Sequence, residues 1–379
     1  MTIEVPQAEL DDLHERLGRV RWPVDPGNLD GRYGAQRSFV EDLVTYWRDA
    51  YDWRAVEAEM NTFDHQRVVI DGIPIHFMRV PGHGPDPTPI VLTHGWPWTF
   101  WDLRKVAVAL ADPASHGGDP ADSFDVIIPS LPGYGFSVPL EVIGVNIPRI
   151  AELWVTLMRD VLGYERFAAQ GGDWGAFVTA ELGHAHAQHL IGVYLTMGVI
   201  PAPYGTMPVP ADAWADDEQW MRERLERSMR NEPHLAVHGR DPQTFSYAMA
   251  DSPAGMAAWL WHRRDRWCDG NAIDVFGPED LCTQASLYWF NNSFTSSIRL
   301  YAEVFKRRNL AHDRVPVIEA PTGIAVFPKE LMYIPRSLAE SHTNLHRWAS
   351  FDSGGHFAPV EQPDAVITEL RDFFRDLRD

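Results

Sequence analysis

Four short apolar runs, separated by segments of helical length, restrict the fold of this 379-residue chain more than any other feature. The runs read PIVLTHGWP, FDVIIPSLPGYG, RFAAQGGDWG and LIGVYLTMG, and they begin at residues 89, 124, 166 and 190. This alternation is typical of βαβ units, in which buried parallel strands are joined by helices. The chain is therefore predicted to be an α/β protein with a mostly parallel central sheet and helices on both faces.

Changes of hydrophobic period divide the chain into four parts. Residues 1–64 have apolar positions at helical spacing and are predicted to form a helical meander. Residues 65–201 begin with two strands around an Asp71-Gly72 turn and form the first part of the core. Residues 202–310, rich in Trp, Met and Arg, are predicted to be a helical lid, and 311–379 to complete the core with two strands and a helix.

Composition excludes several classes of partner. A net charge of −20 repels polyanions, so nucleic acid and acidic membrane surfaces are not expected as partners. Cys268 and Cys282 form no CxxC pair, the N-terminus lacks the regions of a signal peptide, and no run of about 18 apolar residues occurs. These features predict a soluble cytoplasmic protein without a membrane anchor.

The GGDWG segment, residues 171–175, places a carboxylate at a predicted strand-to-helix bend. Glycines at such a bend allow one side chain to stand above the carboxyl ends of the strands, as the G-x-S-x-G turn does for serine. Here the frame Gly171-x-Asp173-x-Gly175 carries aspartate. Asp173 is therefore a candidate nucleophile that forms an ester with its substrate, and a purely structural turn is the alternative.

An ester of Asp173 is useful only if a histidine base, held by a second carboxylate, hydrolyses it. His356 lies in the SGGHF loop after the last predicted strand, and Glu330 follows the preceding strand in VFPKE. The order Asp173, Glu330, His356 is the nucleophile, acid, base order of hydrolases with this kind of sheet. Asp352, four residues before His356, is the rival to Glu330 as its partner.

The HGWP segment, residues 94–97, follows another predicted strand and is interpreted as an oxyanion hole. The backbone N–H groups of Trp96 and Trp174 are expected to face the attacked carboxyl group. The Trp96-Pro97 bond is expected to be cis, as a tight turn favours. Trp98 and Pro97 are predicted to line the substrate pocket.

Taken together, these motifs resemble those of the microsomal-type epoxide hydrolases of the α/β-hydrolase fold. The resemblance covers nearly the whole chain, and the shared segments are RWP, HGWP, GYGFS, GGDWG, DSPAGMAAW, FPKE and GGHFA. It implies conversion of a small-molecule epoxide, hydrophobic or aromatic, to a vicinal diol. No nucleotide-binding motif accompanies these segments, and neither a cofactor nor a metal ion is expected. A homodimer is one assembly that the helical leader and aromatic lid would allow.

In that family, lid tyrosines bind the ring oxygen and supply its proton. The resemblance implies Tyr301 in IRLYAE as one of them, whereas the position of the second is occupied by His234 in NEPHLAVHG. His234 is expected to donate as an imidazolium or else to be only a pocket-wall residue, and Tyr247 is an alternative second tyrosine. Trp98, with Thr99, replaces the Gly and Ser of many relatives and is expected to add bulk near the pocket mouth.

Two other functions remain open from the sequence. A haloalkane dehalogenase also uses an aspartate nucleophile, but its lid binds a departing halide and needs no phenolic acid, so Tyr301 favours the epoxide. A non-catalytic binding protein on the same fold could lose any member of the triad, whereas Asp173, Glu330 and His356 are all present.

Overall fold

A computed structural model describes residues 1–202, 205–206, 209–306 and 314–378 of the chain. Strands in these residues are β1 Asp64–Ile70, β2 Ile73–Val80, β3 Thr88–Thr93, β4 Phe124–Pro129, β5 Phe167–Gly171, β6 Leu190–Leu195, β7 Pro201–Ala202, β8 Gly205–Thr206, β9 Ile318–Val326 and β10 Thr343–Ser350. The four apolar runs of the sequence correspond to β3, β4, β5 and β6. Each of these predicted strands is confirmed.

Eight of the strands form one sheet in the order β1-β2-β4-β3-β5-β6-β9-β10, while β7 and β8 form a separate two-stranded ribbon. The β1–β2 hairpin and the β2–β4 pair are antiparallel, and every other pair in the large sheet is parallel. The predicted turn at Asp71-Gly72 closes the hairpin, with both residues at positive φ. The predicted mostly parallel sheet is confirmed.

The helices of the described residues are α1 Gln7–Gly18, α2 Arg37–Asp49, α3 Trp53–Met60, α4 Arg104–Ala111, α5 Ile147–Val155, α6 Trp174–Ala185, α7 Gln219–Asn231, α8 Pro233–Arg240, α9 Pro242–Asp251, α10 Pro253–Trp267, α11 Ala272–Phe290, α12 Phe294–Phe305, α13 Arg336–His342, α14 Ala358–Glu361 and α15 Pro363–Arg375. Helix α11 is interrupted at Gly277, which has a φ of 74°. None of these helices is long and apolar enough to cross a membrane.

Helices cover both faces of the sheet. Helices α5 and α6 pack on one face, and α4 and α15 pack together on the other. Helix α6 contacts β3, β5, β6 and β9 as well as α5, and is therefore apolar around most of its circumference. Helix α15 is amphipathic, and its apolar face consists of Val366, Ile367, Leu370, Phe373 and Phe374.

Helices α7 to α12 lie between β6 and β9 in the chain and form a cap that we call the lid. The N-terminal helices α1, α2 and α3 pack against lid helices α10 and α11. In this contact Trp47 Nε1 donates to Ser286 Oγ at 2.9 Å, and the Trp47 ring meets that of Trp261 edge-on. The predicted end of the lid at 310 falls within 307–313, outside the described residues.

Candidate active site

Asp173 occupies the turn between β5 and α6, with φ 50° and ψ −127°. This backbone conformation is unusual for a residue with a side chain, so the surrounding contacts must hold it in place. A Cβ atom at Gly175 would collide with the Thr93 carbonyl oxygen, and one at Gly95 would collide with the Asp173 side chain. The glycines of GGDWG and HGWP therefore allow two loops to approach the carboxylate closely.

The HGWP loop contacts Asp173 through its backbone. The Trp96 N–H donates to Asp173 Oδ1 at 2.6 Å, and the Trp96-Pro97 peptide is cis, as expected. Trp174 is the first residue of α6, so its N–H belongs to the positive end of that helix dipole. The carboxylate thus lies beside backbone groups that favour negative charge on Oδ1.

His356 lies between two carboxylates. Its Nδ1–H donates to Glu330 Oε1 at 2.6 Å, and its Nε2 is 3.3 Å from Asp173 Oδ2. The structure therefore brings Asp173, Glu330 and His356 together, whereas the rival Asp352 is exposed. Burial alone would lower the pKa of His356, but Glu330 and Asp173 outweigh it and raise the pKa to about 10.

The loop that carries His356 is fixed by the end of lid helix α10. The His356 N–H donates to the Trp267 carbonyl at 3.1 Å. Glu361 accepts the Phe357 N–H at 2.8 Å and the Asp269 N–H at 2.6 Å, and burial raises its pKa to about 7. Sequence reasoning missed Glu361, since no motif marks a carboxylate whose partners are backbone amides.

Lid helix α7 contacts the loop that carries Glu330. Arg224 Nε donates to the Glu330 carbonyl oxygen at 2.7 Å. The Glu330 side chain is also held from its own loop, because the Leu331 N–H donates to Oε1 at 2.5 Å. The lid therefore supports both loops that orient the imidazole.

A cavity of about 150 Å³ separates Asp173 from the lid, and Tyr301 on α12 and His234 on α8 face it from above. The other side chains that line the cavity are mostly apolar. They are Trp174, Phe177, Met197, Ser228, Met229, Glu232, Leu235, Val304, Phe305, Leu331 and Met332. Both candidate lid groups of the sequence analysis therefore share one cavity with the candidate nucleophile.

Tyr301 is buried among aromatic rings. Its ring meets those of Trp174 and His238 edge-on, with centroids 4.7 and 4.9 Å apart. Burial, and then the charge of Asp173, raises the pKa of Tyr301 well above its ordinary value. The phenol therefore keeps its proton throughout the neutral range.

His234 stacks on the Trp96 ring at a centroid distance of 5.6 Å. Its Nδ1 is 3.3 Å from Glu232 Oε2, which Arg263 Nη1 also contacts at 3.2 Å. Burial lowers the pKa of His234 in spite of Glu232, so the ring is neutral at neutral pH and not the expected imidazolium. Sequence reasoning missed Glu232 and Arg263, although Glu232 stands two residues before His234 in NEPHLAVHG.

Three sequence expectations about the pocket are wrong. Pro97 and Trp98 do not line the cavity; the Trp98 ring is fully buried and packs against the rings of His356 and Phe357. Trp98 therefore adds no bulk at the pocket mouth. Tyr247 is 73% exposed on α9 and does not line the cavity, so it is not the second lid tyrosine.

No group of three or more His, Cys, Asp or Glu side chains in the described part of the chain could hold a metal ion.

An aspartate after β5, a carboxylate after β9 and a histidine after β10, all at the carboxyl ends of the strands, define an α/β hydrolase. A family model described as "alpha/beta hydrolase fold" matches residues 88–253, and one described as "Epoxide hydrolase N terminus" matches residues 1–103.

The chain belongs to the epoxide hydrolase family, and it is a hydrolase. It is 38% identical over 99% of its length to a Stigmatella aurantiaca protein that carries a provisional epoxide hydrolase name, and covers 84% of that protein. "Epoxide hydrolase 1" of Oryctolagus cuniculus is 30% identical over 98% of this chain, which covers 87% of the relative. The solved epoxide hydrolase structure of Aspergillus niger is 28% identical, with a TM-score of 0.86 over 100% of this chain and 96% of that one.

Proposed function

We propose that the enzyme converts an epoxide to a vicinal diol through a covalent ester on Asp173. The observation that carries the proposal is the setting of this carboxylate, with Oδ1 bonded to the Trp96 N–H at 2.6 Å and Oδ2 3.3 Å from His356 Nε2. Because Oδ1 already accepts a hydrogen bond, Oδ2 is the oxygen that attacks. The apolar cavity wall supports a hydrophobic or aromatic epoxide as the substrate.

In the first step, Oδ2 forms a bond to one ring carbon and the bond from that carbon to the ring oxygen breaks. The ring oxygen takes the phenolic proton of Tyr301, which gives a hydroxyalkyl ester and a phenolate. The charge of Asp173 contributes to the raised pKa of Tyr301, so the loss of that charge on esterification makes proton release easier. Nucleophilic attack and proton donation therefore assist each other.

The charge of Asp173 also decides when His356 can act as a base. In the free enzyme two carboxylates raise the pKa of His356 to about 10, and the ring is an imidazolium at neutral pH. Ester formation removes one of these charges, so the pKa of His356 falls. The imidazolium then releases a proton, which converts the Tyr301 phenolate back to the phenol. His356 is then neutral and still oriented by Glu330.

In the second step, water attacks the ester carbonyl carbon of Asp173 and gives a proton to His356. The N–H groups of Trp96 and Trp174 stabilise the oxyanion that forms on Oδ1. The bond from the carbonyl carbon to the diol oxygen breaks, and His356 protonates the leaving oxygen. The second proton of the water then moves to His356, which becomes an imidazolium again. Asp173 becomes a carboxylate with one oxygen atom from the water.

Substitution of the base should trap the ester. After incubation of His356→Gln with an aryl epoxide, intact mass should increase by the mass of one whole epoxide, and peptide mapping should place the adduct on Asp173. His346→Gln, at an exposed position on β10, is the matched control and should turn over normally without an adduct.

Two outcomes would contradict the proposal. Steady turnover by His356→Gln would remove His356 as the base, and an adduct on another residue would remove Asp173 as the nucleophile. A parallel incubation with a chloroalkane tests the dehalogenase alternative, which would give an alkyl adduct and free halide.

A further inference from the structure

Tyr301 and His234, two of the polar lid groups that line the cavity above Asp173, differ in their hydrogen-bonding capacity. Tyr301 carries a phenolic proton, whereas His234 is a neutral imidazole with one N–H and one lone pair. Which ring nitrogen of His234 carries the proton determines whether the cavity presents a donor or an acceptor at this position. The contacts of Nδ1 answer this question.

Glu232 fixes the proton on Nδ1. Its Oε2 is 3.3 Å from His234 Nδ1, and only 8% and 5% of the two side chains are exposed. A lone pair on Nδ1 would face a carboxylate oxygen at this distance in a buried setting, which is repulsive, whereas an N–H is attracted. The Nδ1–H tautomer is therefore favoured, although the angle does not complete a hydrogen bond.

The carboxylate keeps its charge because Arg263 contacts the same oxygen at 3.2 Å. Burial would raise the pKa of Glu232, but His234 and Arg263 outweigh it and lower the pKa. Glu232 is thus ionised at neutral pH and continues to orient the imidazole. Because Glu232 is not protonated in the neutral range, the Nδ1–H tautomer of His234 persists there.

His234 lines the cavity, and with the proton on Nδ1 its acceptor is Nε2, on the side of the ring away from the Glu232 contact. Within the described residues, no group donates a hydrogen bond to this nitrogen. His238, one turn further along α8, is different, since Trp259 Nε1 donates to its Nε2 at 3.1 Å. Of these two lid histidines, His234 is the one with an unused acceptor.

We propose that Glu232 holds His234 as a hydrogen-bond acceptor, so that the site selects epoxides with a hydroxyl group on the carbon next to the ring. The ring oxygen itself has no proton and cannot donate to Nε2, so Tyr301 serves the ring oxygen and His234 binds the adjacent hydroxyl. The assignment of the ring position rests on the function proposed above. Glu232 is a positioning residue in this scheme, because it acts through His234.

The test compares an epoxy alcohol, 3-phenylglycidol, with its O-methyl ether, which has no hydroxyl proton. The wild-type enzyme should have a kcat/KM on the order of tenfold higher for the alcohol, the effect of one hydrogen bond to an otherwise unfilled acceptor. His234→Phe removes the acceptor and should reduce the ratio to about one. A purely structural effect would lower both rates and leave the ratio unchanged.

Glu232→Gln should also reduce the ratio, because the proton is then free to move to Nε2. Glu226→Gln, an exposed position on helix α7, which ends one residue before Glu232, is the matched control and should leave the ratio at the wild-type value. If His234→Phe keeps the preference for the alcohol while Glu232→Gln loses it, Glu232 itself binds the hydroxyl and the inference is wrong.

The tautomer can be measured in the wild-type protein without any variant activity. A long-range ¹H–¹⁵N spectrum at neutral pH should show His234 protonated at Nδ1 and unprotonated at Nε2, assigned by the signal that His234→Phe lacks. An Nε2–H tautomer or an imidazolium would overturn the inference. A wild-type enzyme that opens both epoxides equally well also refutes it but leaves the proposed function intact, whereas failure to open any epoxide refutes both.

Discussion

Asp173 and Tyr301 face one cavity from two regions that are built in different ways. On the core side, loops after strands position the proposed reacting groups, and backbone requirements fix those loops: positive φ at Asp173, and glycines where a Cβ atom would collide. On the lid side, helices α8 and α12 position Tyr301 and His234 by side-chain packing among aromatic rings. Backbone requirements leave few alternatives, whereas packed side chains can be exchanged one at a time.

The core and the lid also differ in the charges that they bring to the cavity. The core places an imidazolium between two carboxylates, and the charge of each group depends on the others. On the lid, Tyr301 and His234 are neutral, and the ionised Glu232, which also lines the cavity, is paired with Arg263 beside His234. We therefore expect core substitutions to abolish a chemical step and lid substitutions to change its rate or its substrate preference.

The largest expected effect is that of Asp173→Ala. Without the nucleophile no ester can form, so kcat should fall by about 10⁴-fold or more, the loss typical of a missing nucleophile. Product formation measured by chromatography, with a thermal melt to check folding, tests this prediction. Residual activity above about one per cent would mean that water attacks the epoxide directly, and the contrast between core and lid would break down.

Glu330→Gln should have the next largest effect, about 10³- to 10⁴-fold on ester hydrolysis, by analogy with other carboxylates that orient a histidine base. Glu330 raises the pKa of His356, so its replacement lowers that pKa. Because the base must be neutral, the acidic limb of the pH–rate profile should move to lower pH in single-turnover measurements. Asp352→Asn, at the exposed rival position, should leave both rate and profile unchanged.

Arg264→Met tests a contact that holds the lid to the core. Arg264 on lid helix α10 contacts both oxygens of buried Asp102 at 2.9 to 3.0 Å and donates to the Pro97 carbonyl at 2.9 Å. Removing the cation leaves Asp102 as an uncompensated buried charge, which costs about 3–5 kcal/mol of unfolding free energy. Urea denaturation measures this loss, and an unchanged midpoint would show that the lid is not held to the core here.

Arg336→Met is the control for that experiment. Arg336 pairs with Glu340 on the surface, where both side chains are more than half exposed, at 58% and 53%. Solvent screening makes such a pair contribute little, so its loss should leave the denaturation midpoint unchanged. The two variants together separate burial from charge as the cause.

The difference between core and lid also explains which features of the structure the sequence could predict. The strands, the order of Asp173, Glu330 and His356, and the approach of HGWP to Asp173 follow from local rules of turn chemistry and strand spacing. The position of Trp98 and the Glu232–His234 contact do not, because they depend on how lid helices pack against the core. A signal existed only for Glu232, which precedes His234 closely in the sequence.

The smallest of these effects is expected for Tyr301→Phe, which removes the phenolic hydroxyl group and leaves the aromatic ring in place. Ring opening should slow by about 10²-fold, at the lower end for loss of a general acid, because solvent can still protonate the developing alkoxide. Ester hydrolysis does not use the phenol as an acid, so burst and steady-state phases in rapid-quench experiments should separate the two steps. Tyr247→Phe, on the exposed face of α9, should change neither phase. If Tyr301→Phe slowed only ester hydrolysis, the lid would share the chemistry assigned to the core, and the division between core and lid would have to be redrawn.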